Sequence, residues 1–169
     1  CLHPHPCREL IEHHDHYLDL IQAVESVKGG KKLFVRSVLR YDYLLCVASP
    51  STVTAFIAHL AANNVSGQLR VAPEHVSNSV LDVMGKPPIG LYDEFQAIFE
   101  EESRRAGKKQ YLLPYFISAH PGSTLDDAIT LALYLKRGSF IPDDVQDFYP
   151  TPGTSATCMY YTGLDPRPG

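Results

Sequence analysis

Four short apolar runs recur along the chain at a regular interval, and that rhythm limits what it can fold into. They are residues 33–37, 69–72, 111–118 and 145–149, each starting roughly 35–40 residues after the one before. Runs of this length, bounded by Gly, Pro and polar residues, predict buried strands. The intervals carry apolar residues at helical spacing. Tyr17, Leu20, Ile21, Val24 and Val27 form one stripe, stopped by Gly29-Gly30. Val53, Phe56, Ile57 and Leu60 form a second, with Ser51 as N-cap. Leu91, Phe95, Ile98 and Phe99 form a third, ending near Gly107. Leu125, Ile129, Ala132 and Leu133 form a fourth, with Ser123 and Asp126 as a capping box. A short helix is expected over 79–84, and the Thr-, Pro- and Gly-rich stretch from Pro150 reads as loop.

Strand and helix therefore alternate. Alternation implies parallel strands, because each crossover returns the chain to the same end of the sheet. The fold class is α/β, either part of a β/α barrel or a doubly wound sheet. At 169 residues the chain falls short of the roughly 250 of a full eight-fold barrel. Both ends, an initial cysteine and a closing Pro-Arg-Pro-Gly, read as cuts in a longer protein.

Formal net charge is -4, and no basic tract is interleaved with aromatics, so the sequence carries no nucleic-acid signal. No apolar stretch approaches the length of a membrane span, and no secretory signal is present. Cys1, Cys7, Cys46 and Cys158 match no zinc or disulfide framework, and reduced thiols in the cytoplasm are the default. Cys46 lies in an apolar helical run and reads as an inert core thiol.

In β/α folds, function gathers beyond the carboxyl ends of the strands. Polar and aromatic residues cluster there: Arg36 and Arg40 after the first run, Glu74 and His75 after the second, His120, Pro121 and Gly122 after the third, Phe148 and Tyr149 at the fourth. Arginine suits a carboxylate, glutamate an amino group or ribose hydroxyls, histidine a proton near neutral pH, and an aromatic ring a planar base. The plainer alternatives are an Arg36–Glu74 ion pair, loop-capping histidines and a core Phe148. Separately, Cys1, His3, His5, Cys7, His13, His14 and His16 lie within 16 residues. They offer an auxiliary metal site on Cys1 and Cys7, or a plain exposed loop.

Longer strings carry a resemblance. Arg70-Val71-Ala72-Pro73-Glu74-His75-Val76-Ser77, Val80-Leu81-Asp82-Val83-Met84-Gly85-Lys86-Pro87, Tyr115-Phe116-Ile117-Ser118-Ala119-His120-Pro121-Gly122-Ser123-Thr124, Asp147-Phe148-Tyr149-Pro150-Thr151-Pro152-Gly153-Thr154 and the 158–166 tail closely resemble the YgiQ-type radical SAM proteins. The resemblance implies a leading Cys/His-rich loop and helix over 1–32, a partial radical SAM barrel of about four β/α units over 33–154, and a loop over 155–169. It implies an iron–sulfur oxidoreductase that cleaves S-adenosylmethionine reductively to a 5′-deoxyadenosyl radical, for hydrogen abstraction from an unidentified substrate. S-adenosylmethionine and a [4Fe-4S] cluster are then cofactors of the intact enzyme, with Arg36, Arg40, Glu74, His75, His120, Pro121, Gly122, Phe148 and Tyr149 near S-adenosylmethionine. The family's CxxxCxxC motif does not occur in this sequence. The chain alone is expected to be inactive and to hold neither cofactor, and, with two exposed strand edges, either to dimerise, to rearrange into an open sheet or to be only marginally stable. The competing reading is a non-catalytic metal- or RNA-associated module. An ordinary hydrolase ranks last, for want of a Gly-x-Ser-x-Gly elbow or phosphate loop.

Overall fold

A computed structural model describes residues 5–11, 13–36, 38–138, 142 and 145–167. The chain is mixed α/β. Among the described residues, three strands, β1 (Gln68–Glu74), β2 (Tyr111–Ser118) and β3 (Val145–Asp147), form a parallel sheet in the order β1-β2-β3. Phe116, Ile117 and Ser118 pair in register with Val145, Gln146 and Asp147. Seven α-helices are described: α1 (His14–Glu25), α2 (Tyr41–Val47), α3 (Pro50–His59), α4 (Asn78–Met84), α5 (Ile89–Arg105), α6 (Leu125–Arg137) and α7 (Ser155–Thr162). A π-helical turn, Leu60–Asn64, extends α3. No described helix is long and apolar enough to cross a membrane.

The chain divides into two compact units. The first comprises Cys1–Val71 and Gly90–Leu113. Its core is aromatic: Phe56, Phe95 and Phe99 are buried with Leu44, Ile57, Leu60 and Leu69. Phe95 lies 5.4 Å from the Tyr41 ring and 6.3 Å from Phe99. Helix α3 packs against α1 and α2. The second unit comprises Ala72–Ile89 and Pro114–Gly169. Its core is smaller, with Val76, Phe116 and Leu131 at the centre and Ile89, Tyr134 and Leu135 against them.

Several expectations need correction. The first apolar run is not a strand, Ser37 lying outside the described residues. The Val35 N–H goes to the carbonyl of Asn64 at a helix end, and just beyond the run Leu39 forms an isolated parallel bridge with Val71 of β1. An extended arm pinned at two points shows the same alternation as a strand without forming a ladder. The C-terminal stretch is not all loop. Thr154 caps α7 by accepting from the Thr157 N–H at 3.2 Å, and Gly163, at φ 72°, ends it.

Two other caps move slightly. Ser49, not Ser51, caps α3 by accepting from the Thr52 N–H. The α6 box is Thr124 with Asp127, one residue beyond the expected pair. The α1 and α6 stripes are not core faces. Of the five positions of the first stripe, the last of which lies beyond α1, only Ile21 is buried, and Leu125, Ile129 and Leu133 are exposed while Leu131 faces inward.

Candidate functional site

Seven of the nine residues expected at strand ends lie in the second unit, and backbone strain marks the position of two of the turns that carry them. Among the described residues the only non-glycines at positive φ are Glu74 (66°) and Ala119 (56°). Each lies just past a strand, or at its last residue, and each immediately precedes a buried histidine: His75 is 3% exposed and His120 6%. A left-handed non-glycine residue costs about 1–2 kcal/mol. Around Glu74 the His75 N–H donates to the Pro73 carbonyl at 2.9 Å. That i to i+2 bond over a positive φ is the rare, strained form of γ-turn. The turn reverses the chain within one residue, directing His75 inward, while the Glu74 carboxylate pairs with Lys86 Nζ at 2.8 Å. The anticipated Arg36–Glu74 pairing is thus replaced by Lys86, which follows Gly85, the left-handed cap of α4.

After Ala119, residues 120–123 form a β-turn. The Ser123 N–H donates to the His120 carbonyl at 2.9 Å, with Pro121 second and Gly122, at φ 87°, third, the pattern of a type II turn. The glycine is doubly required, since a Cβ there would meet Val83 Cγ1 at 3.3 Å. The close approach expected of Pro121-Gly122 is therefore partly spent on α4. Both residues line a cleft of about 360 Å³ with Val83, Met159, Tyr160 and Leu164. That is at the small end of ligand pockets.

The two histidines hold opposite tautomers when neutral. His75 Nδ1 accepts from the Ser77 N–H at 3.0 Å, which leaves the proton on Nε2. His120 Nδ1 donates to the Pro121 carbonyl at 2.9 Å, which leaves Nε2 as an acceptor. Burial lowers both pKa values. Asp127 partly opposes this at His75 and the His120 charge adds to it, while the Pro121 carbonyl and Glu74 partly oppose it at His120. Both rings are therefore neutral at pH 7.

Phe148 is half-buried. Its ring stands edge-on to His120 at 5.4 Å and 5.7 Å from Tyr160. Tyr149 is exposed, with its ring open to solvent.

Asp127 ties the segment together. It accepts from Ser77 Oγ at 2.6 Å, Thr124 Oγ1 at 2.7 Å and the Thr124 N–H at 2.8 Å. These bonds, Ser77 foremost, hold its carboxyl well below the usual range. The sequence reading missed Lys86, Asp127 and Tyr160. The adjacent Ser-Thr and Asp-Asp pairs blurred the box, and Tyr160 sits in the helix read as loop.

The other two candidates lie in the first unit. Arg40 is engaged by Asp42, through Nε at 2.8 Å and Nη2 at 2.7 Å. Arg36 is exposed on the arm. At the N-terminus, Cys1 and His3 lie outside the described residues, and Cys7 is exposed. His14 is buried against Tyr43 at 4.8 Å and Phe56 at 6.0 Å, and His13 stacks on His16. Among the described residues no three His, Cys, Asp or Glu side chains converge. The Cys46 thiol is half-buried, and burial, then Asp42 and Glu94, raise its pKa.

Comparison with known proteins matches this chain almost end to end. It is 49% identical to a UPF0313 protein of Clostridium perfringens over 98% of this chain and 24% of the relative. It is 47% identical to one of Methanocella arvoryzae over 100% of this chain and 27% of the relative. Its homologues are UPF0313 proteins. A Clostridium botulinum UPF0313 protein is 44% identical over 98% of this chain. The chain spans about a quarter of the length of these relatives. A domain family of unknown function, DUF3362, matches residues 143–168, which include β3 and α7.

Proposed function

We propose that this chain is the later part of a radical SAM barrel and that the strand ends of its second unit help hold S-adenosylmethionine in the full-length protein. The observation that carries the reading is the repeated device of a strand end, a strained left-handed residue and a buried neutral histidine. Backbone strain of this kind persists where the surroundings over-determine it and clusters at ligand sites. It adds a physical reason to the sequence resemblance.

The fit to the implied cofactors is partial. An iron–sulfur cluster with an open iron asks for three thiolates, and the CxxxCxxC that supplies them is not in this sequence. No residue of this chain is assigned to the cluster. When bound, cluster and S-adenosylmethionine together supply the radical that abstracts hydrogen.

This chain's residues bind and orient. The Glu74 carboxylate, held by Lys86, offers acceptor oxygens to an amino group or ribose hydroxyl. His120 Nε2 offers a neutral acceptor and His75 Nε2–H a donor. The Phe148 ring, fixed by His120 and Tyr160, offers an apolar surface to a base. Arg36 and Arg40 belong to the first unit, where Asp42 already holds Arg40, and neither is assigned to this group of residues.

The test is anaerobic reconstitution with iron and sulfide, applied to this chain and to the full-length Clostridium perfringens relative, with assay for 5′-deoxyadenosine. The relative is expected to bind iron and cleave S-adenosylmethionine, and this chain to do neither. A relative that takes up no cluster would overturn the proposal and leave the non-catalytic binding module standing.

A further inference from the structure

The first unit contains a cleft of about 670 Å³ bounded by the 31–34 arm, the turn from Ala62 to Gly67, and residues 108–110 ahead of β2. Four lysines line it, the adjacent pairs Lys31-Lys32 and Lys108-Lys109, which come from the unit's two separate stretches of sequence. Lys108 Nζ is anchored by the carbonyls of Ala61, at 3.2 Å, and Ala62, both within the π-helical turn. Lys109 Nζ lies 5.8 Å from the centre of the Tyr111 ring. The one acidic residue in the lining, Glu25, has both oxygens engaged, Oε1 by Asn64 at 2.7 Å and Oε2 by His59 at 3.1 Å. Among the described residues no carboxylate forms an ion pair with any of the four lysines.

This is a local excess of positive charge in a protein of net charge -4. Uncompensated ammonium groups around one concavity raise its potential and attract anions. A lysine is a point charge that suits phosphate, and two of these are fixed by contacts with their own unit. Phe34, 40% exposed, adds an aromatic wall to the same cleft.

We infer that this cleft binds a phosphate-bearing nucleotide, free or within a single-stranded nucleic acid, with phosphates on the lysines and a base against Phe34. Composition hid the site, because it forms only when two lysine pairs far apart in sequence are brought together. It uses none of the residues assigned to S-adenosylmethionine, so either proposal can fail alone.

The test is equilibrium binding of ADP and of a fluorescent single-stranded oligoribonucleotide to the wild-type chain, to Lys31→Glu/Lys32→Glu, and to a charge-matched control, Arg8→Glu/Lys136→Glu. All four substituted side chains are exposed, and circular dichroism checks the fold. The cleft variant is expected to lose at least about tenfold in affinity, and its oligonucleotide salt slope to fall by about 2. The control is expected to keep both. ADP binding that the oligonucleotide does not exceed identifies a free nucleotide, and tighter oligonucleotide binding identifies a strand. Absence of binding by both probes, or equal weakening in the two variants, overturns the inference.

Discussion

The two units solve the same problem differently. The first is held by large apolar side chains, with three buried phenylalanines and two ring contacts to Phe95. The second has a small apolar centre and relies on directed polar contacts: the Asp127 bonds, the Glu74–Lys86 pair, the capped α7 and two strained turns. An apolar core is non-directional and tolerates no vacancy. A polar network fixes geometry at a cost in stability, which suits a site more than a scaffold. Under the proposed function, the first unit is the stabilising part and the second the positioning part.

Substitutions can break or sharpen that contrast. The largest effect is expected from Phe95→Ala, which empties a fully buried ring site and should cost about 3–5 kcal/mol in denaturant unfolding. Gly122→Ala forces a left-handed alanine against Val83 and should cost about 1–3 kcal/mol, which thermal unfolding would measure. Asp127→Ala removes the N3 half of the α6 capping box and the acceptor of Ser77 Oγ, and should cost about 1–2 kcal/mol. Because the folded Asp127 pKa lies below its unfolded value, that contribution is present above about pH 4 and is lost as the pH falls further. Wild type and variant should therefore converge in acid.

Ala119→Gly relieves a left-handed alanine and should raise stability by about 0.5–1 kcal/mol. The smallest effect is in pH dependence. Folded His75 and His120 have pKa values below 6.5, so the unfolded state binds more protons as the pH drops through that value. Stability should fall on acidification below about pH 6.5, and His75→Gln/His120→Gln should flatten the slope between pH 7 and 5.5.

Regular elements with one periodic face were legible in the sequence. The β2 bounds, 111–118, were read to the residue, and the long α5 was clear from Leu91, Phe95, Ile98 and Phe99. The 33–37 arm was misread because extended backbone and strand share one alternation, and only the hydrogen-bond partner tells them apart. Helix α7 was hidden because its Thr-, Pro- and Gly-rich lead is also its cap. The α1 and α6 stripes misled because each helix has apolar residues on more than one face, and spacing does not say which face is covered.

At the site, the strand-end positions could be named from sequence. The left-handed Glu74 and Ala119, the opposed tautomers and the Lys86 pairing could not, because each depends on contacts made only in the folded chain.

The central claim is that strain at the second unit's strand ends serves a ligand. The most direct test replaces Glu74 with glycine in this chain, and replaces the aligned residue in the full-length Clostridium perfringens relative. Glycine accepts the left-handed turn, and a partly exposed ion pair is worth about 0–1 kcal/mol. Stability of this chain should therefore change by less than about 1 kcal/mol. S-adenosylmethionine affinity in the relative should fall at least about tenfold, as expected when a charged hydrogen-bond partner of the ligand is lost. A loss of several kcal/mol in stability with affinity unchanged would make Glu74 a structural residue and contradict the account.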